Sequence, residues 1–136
     1  MKDYKELQVW QKAVSLVTEI YKTTHAFPAD ERFGLTSQIR RSVTSVPANI
    51  AEGWGRGSTK EYVQFLIIAR GSLLELETHL IVSGNLGYLG QLQVTSAQKQ
   101  IDEIGRMINS LIRSLRAQQR SGRFGILVSS PQPLAP

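Results

Sequence analysis

Apolar residues recur at intervals of three and four in four separate stretches, the period of helices that bury one face. Val9, Ala13, Leu16, Val17, Ile20 and Thr24 mark the first, predicted from about residue 4 to 25. Asp3 and Glu6 precede it as an Asp-x-x-Glu start signal, with oxygens placed to accept the free amide protons of a first turn. Phe27-Pro28-Ala29-Asp30 ends it, because Pro28 disfavours helical geometry at Phe27. Leu35, Ile39, Val43, Val46 and Ile50 form one narrow stripe on a second helix. Pro47 lies inside that helix, removes a backbone hydrogen bond and is expected to kink it. Gly53-Trp54-Gly55-Arg56-Gly57 then favours a turn.

Ser58-Thr59-Lys60-Glu61 reads as a capping box that opens a third helix. From Tyr62 to Val82 this helix is apolar around most of its circumference, since Phe65, Leu66, Ile67, Ile68 and Ala69 are consecutive. Such a helix needs cover on every side, which requires a central position or a neighbouring subunit. Gly84, Gly87 and Gly90 close it. Thr95 and Gln98 offer a second capping box before a fourth helix running to about Arg120. Ser121 to Pro136 holds three of the five prolines and no regular period, which predicts a flexible tail. Strict two-residue alternation of strand length is absent. The expected fold is all-α: an antiparallel up-down-up-down four-helix bundle over residues 1–120, with a tail over 121–136.

Charge changes the picture at the fourth helix. Arg106, Arg113, Arg116, Arg120 and Arg123 follow Glu103 with no further acid. At about 100° per residue the first four fall within an arc of roughly 80°. Ile101, Ile104, Ile108, Leu111, Ile112 and Leu115 lie opposite. One face is built to bury and the other presents guanidinium groups, which suits an anionic partner, although charged faces are usually just solvated. The net charge of +5 over 136 residues favours salt-sensitive attraction to phosphates.

The chain has no cysteine, which excludes disulfides, thiolate metal sites and cysteine nucleophiles and suits a reducing cytoplasm. Its charged start lacks the apolar core of a signal peptide. The apolar run Phe65–Ala69 is far shorter than the ~20 residues that cross a bilayer. A soluble, cytoplasmic protein without membrane contact is expected.

Several blocks carry a resemblance. They are Leu7-Gln8-Val9-Trp10-Gln11-Lys12-Ala13, Phe33-Gly34-Leu35-x-x-Gln38-Ile39-Arg40-Arg41, Ser45-Val46-Pro47-Ala48-Asn49-Ile50-Ala51-Glu52-Gly53, and Phe65-Leu66-x-x-Ala69-Arg70-Gly71-Ser72-Leu73-x-Glu75-Leu76-Glu77. Over roughly residues 4 to 115 the chain resembles the small four-helix-bundle family encoded within intervening sequences of bacterial 23S ribosomal RNA genes. The accessory variability protein of diversity-generating retroelements is similar in fold. The resemblance implies a homopentamer of four-helix bundles with a basic surface and no known catalytic activity. The arginine strip and the tail are not part of the family pattern.

Other constellations point to weaker chemistry. Glu52 invites a general acid–base reading, but it has no histidine nearby in sequence, and the competing role for Asn49 and Glu52 is bonding around the Pro47 break. Glu75 and His79 share a helix face with Glu77 close by, yet di-metal bundles use Glu-x-x-His from each of two helices. Gly53-x-Gly55-x-Gly57 lacks the strand and Gly-Lys-Ser/Thr of a phosphate loop and reads as a helix-joining turn. Of Arg40 and Arg41, one is expected to pair with an acid such as Glu75 and the other to join a basic surface. Trp10 and Trp54 are core or interface residues more often than base-stacking platforms.

No catalytic residue, metal or cofactor is expected. The expected nucleic-acid-binding residues are Arg41, Arg106, Arg113, Arg116, Arg120 and Arg123, and the expected oligomer interface is Phe65, Leu66, Ile67 and Ile68. The leading function is a non-enzymatic homo-oligomer that binds structured RNA or DNA. Its rivals are an accessory subunit of a retroelement reverse transcriptase and a structural oligomer with no nucleic acid partner.

Overall fold

A computed structural model describes residues 3–122. It contains four helices, α1 (Gln8–Thr24), α2 (Leu35–Trp54), α3 (Thr59–Asn85) and α4 (Gln91–Gly122), and no strand among the described residues. Single 3-10 turns at Tyr4–Glu6 and Ala29–Glu31 precede α1 and α2. The expected start of α1 is corrected. Asp3 accepts the Lys5 amide at 2.7 Å, but it caps only the short turn. Leu7 is extended and fully buried, so burying that side chain breaks the helix before Gln8.

Inside α2, Pro47 is buried within one continuous helix. Ser58 caps α3 as expected, its Oγ accepting the Glu61 amide at 3.2 Å and donating to Glu61 Oε2 at 3.0 Å. The start of α4 differs from expectation. The Gly90 amide donates to Gln93 Oε1 at 3.0 Å, which opens α4 at Gln91 and leaves Thr95 exposed inside the helix. At its other end α4 takes in Ser121 and Gly122. The remainder of the expected tail lies outside the described residues.

One core joins all four helices, through Leu16 and Ile20, Ile39 and Ile50, Leu66 and Leu76, and Ile104 and Leu111 among others. α2 packs on α1 and α3, α4 packs on α3 and α1, and the backbones of α2 and α4 do not approach closely among the described residues. The α2–α3 contact is close because Gly53 has no side chain. A Cβ there meets Phe65 Cβ at 2.8 Å and Tyr62 Cδ1 at 3.0 Å. Nearby, the Ser45 and Ser72 hydroxyls lie 2.8 Å apart, and Asn49 Nδ2 donates to the Ser45 carbonyl and Oγ at 2.8 Å. Asn49 therefore ties α2 to its own preceding turn. Across α1–α4, Lys12 Nζ meets Glu103 Oε1 at 2.6 Å. Across α3–α4, Arg70 donates to Asn109 Oδ1 at 2.9 Å and Gln98 donates to Glu77.

Candidate nucleic-acid interface

The apolar stripe of α4 is buried from Ile101 to Leu115, which turns the opposite face outward. Arg106, Arg113, Arg116 and Arg120 are all exposed on it, and none makes an ion pair among the described residues. Glu103, at the edge of this face, is engaged. The Lys12 ammonium hydrogen-bonds it, and that bond and its charge hold the carboxyl below the usual carboxylate range, with Arg106 adding to the effect. Asp102, exposed and four residues before Arg106, lies within the arc of the strip at its N-terminal end.

Not every expected residue joins this surface. Arg41 is exposed, but its guanidinium donates to Gln38 Oε1 at 2.6 Å on α2, a helix whose backbone does not lie beside α4. The structure thus separates Arg41 from the strip. Arg123 lies outside the described residues. Neither Arg40 nor Arg41 reaches Glu75. Arg40 Nε donates to Thr24 Oγ1 at 3.0 Å, its Nη2 donates to the Tyr21 carbonyl at 3.3 Å, and its guanidinium lies 4.5 Å from the Tyr21 ring centroid. It therefore satisfies carbonyl and hydroxyl groups at the C-terminal end of α1.

The weaker constellations resolve locally. Glu52 is exposed and pairs with Arg56 at 3.1 Å, while the Arg56 guanidinium sits 4.8 Å over the Phe65 ring. Glu75 meets His79 at 3.6 Å, and no group of three metal-ligating side chains occurs among the described residues. No helix there is long and apolar enough to cross a membrane.

The expected interface is partly corrected. Leu66 is completely buried in the core of its own chain, so it has no surface to offer a neighbour. Phe65 is half-buried beneath Arg56, Ile67 packs partly on the core, and Ile68 is half-exposed. The bare apolar surface continues instead along α3 through Leu74, Ile81 and Val82. Ile67, Gly71, Leu74, Thr78 and Ile81 are spaced four, three, four and three, the repeat of a helix-packing seam. That spacing is visible in the sequence, but the continuous run Phe65–Ala69 hides it. A second seam runs along α1 through Trp10, Val14, Val17 and Tyr21. With Thr44, Ala48 and Ala51 of α2, its first three residues line an open groove of about 390 Å³.

Comparison with known proteins agrees with this architecture. The family model of the 23S rRNA-intervening sequence protein matches residues 5–110. A crystal structure of a protein of unknown function from the S23 ribosomal protein family, from Bacteroides thetaiotaomicron, is 28% identical, with a TM-score of 0.69. The likeness covers 76% of this chain and 97% of that one. No curated protein matches the chain. With the family model spanning most of its length and this relative sharing its helical fold, the chain belongs to the 23S rRNA-intervening sequence protein family.

Proposed function

We propose that the protein is a non-enzymatic homo-oligomer of antiparallel up-down-up-down bundles that binds structured RNA or DNA through α4. The observation that carries this reading is the exposed arginine set Arg106, Arg113, Arg116 and Arg120, with no acid after Glu103 on the described helix. Unpaired guanidinium groups held on one rigid face favour phosphate oxygens and release counterions on contact. Ser45 lies against Ser72 and Gly53 against Phe65, while Arg70 meets Asn109 and Glu77 meets Gln98; the reversed residue order within each pair of helices supports the alternating directions.

The two apolar seams support self-association. The seam on α3 and the groove between α1 and α2 are different surfaces, so copies joined seam to groove meet head to tail. Such a contact closes into a ring when its rotation allows, in keeping with a pentamer. The same basic, oligomeric body suits an accessory subunit of a reverse transcriptase, a role that gene neighbourhood separates from a ribosomal one.

The test is an electrophoretic shift titration with ribosomal RNA and random RNA at low and physiological salt. Binding that weakens steeply with salt is the expected result. A folded oligomer that shifts neither RNA leaves a purely structural role as the better reading.

A further inference from the structure

The arginines of α4 carry a spacing as well as a charge. Arg106, Arg113 and Arg120 are seven residues apart, and Lys99 continues the same line one step further, past Asp102. All four are exposed. Seven helical residues rise about 10.5 Å and drift only ~20° around the axis, so the cations form a nearly straight ladder.

The surroundings of the ladder restrict what it meets. α1 and α3 pack against α4 on its two flanks. Packed in this way, the helix presents only its outer face to a ligand, and long cationic side chains on such a face favour phosphate contacts. No aromatic side chain lies on this helix among its described residues. The partly or largely exposed aromatics among the described residues are Tyr4, Trp10, Tyr21, Phe33, Trp54, Phe65 and Tyr88, and none of them lies on α4. Single-stranded nucleic acid is normally held by stacking its bases on aromatic side chains, and this face offers no such platform. A fixed ladder of cations suits phosphates that are already ordered, whereas a single strand must be ordered on binding.

We propose that the α4 face selects double-stranded over single-stranded nucleic acid, contacting phosphates of a duplex through Arg106, Arg113 and Arg120 without base contacts. This rests on the nucleic-acid reading above and narrows it to a ligand class. Duplex RNA and duplex DNA share the chemistry, and the test separates them.

The test measures fluorescence anisotropy with an RNA duplex two turns long, the DNA duplex of the same sequence, and each component strand. It uses the full-length protein over a series of salt concentrations. The expected result is a duplex bound about tenfold or more tighter than its own strands, with the RNA–DNA comparison naming the source. Arg113→Gln should lower the slope of log affinity against log salt by about 0.9 for each subunit engaged on DNA. The triple Arg→Lys variant at 106, 113 and 120, which keeps the charge, should retain most of the duplex preference. Strands that bind as tightly as duplexes overturn the duplex inference and leave the broader reading standing. No binding to any of the probes overturns both. A folded Arg113→Gln protein with unchanged affinity and slope overturns the assignment to α4.

Discussion

The Tyr88 hydroxyl donates to Glu31 Oε2 at 2.9 Å, joining the turn before α2 to the turn before α4. The other carboxylate oxygen, Oε1, accepts the Leu35 amide at 3.2 Å and so supplies the cap that Gly34 has no side chain to make. A Cβ on Gly34 lies 2.6 Å from that same oxygen. Phe27 packs on the Tyr88 ring at 5.5 Å, closing this end of the core beneath the bond. One carboxylate therefore fixes the entry of α2 and anchors the α3–α4 connection.

This bond has a pH signature. Hydrogen bonding to Glu31, then burial and the nearby negative charges of Glu31 and Asp30, raise the Tyr88 pKa above 10. The stabilisation is complete below the unfolded value and is lost as pH rises through the higher folded one. Chemical denaturation from neutral pH to above pH 10 should show wild type losing more stability than Tyr88→Phe. Equal losses in the two proteins show that the bond contributes nothing to folding.

Gly53 and Gly71 should respond in opposite directions to alanine. At Gly53 the new Cβ meets Phe65 and Tyr62 at 2.8 to 3.2 Å, including the Tyr62 carbonyl. Overpacking of this kind costs about 1–3 kcal/mol. At Gly71, on the exposed seam of α3, nothing lies within 4 Å. Alanine there removes a helix-interior glycine and should stabilise the isolated bundle by about 0.5–1 kcal/mol. Urea midpoints of both variants, at a concentration where the protein is monomeric, check the pair.

The helices were legible in the sequence because their apolar positions keep a helical period and their connections carry Gly or Pro. The boundaries were less so. Leu7 ends the first turn through burial of its side chain, and Gln93 caps α4 on a glycine, a position with no side chain to announce it. The outward face of α4 was readable because charge and apolar stripe separate cleanly on one helix. The surface of α3 was not, since five consecutive apolar residues point in all directions and only the packed fold shows which remain bare. Arg41 is exposed, but membership of the basic surface depends on which helices are neighbours, which the sequence does not state.

Tyr62 gives a third test. Its side chain is fully buried, its hydroxyl has no hydrogen-bond partner among the described residues, and burial pushes its pKa far above the ordinary value. Removing a buried, unsatisfied hydroxyl relieves a desolvation cost of about 1–3 kcal/mol, offset by any strain in the repacked ring. Tyr62→Phe should therefore be neutral or stabilising in thermal denaturation. A clear loss of stability shows that the hydroxyl contributes packing within the core that outweighs its desolvation cost.

The seam on α3 predicts how the proposed oligomer comes apart. Leu74 is 57% exposed and Ile81 44% exposed, so replacing them costs a lone bundle little packing. A charge at either position must be desolvated if the seam docks against a neighbour, and an unpaired buried charge costs several kcal/mol. Leu74→Glu with Ile81→Glu should give a helical monomer in sedimentation, with far-ultraviolet circular dichroism like that of wild type. Leu66→Ala acts elsewhere. It removes a side chain from the chain's own core, costing about 2–5 kcal/mol of folding stability, while leaving the exposed seam in place. If the double glutamate variant sediments as wild type does, the seam on α3 is not a contact between copies.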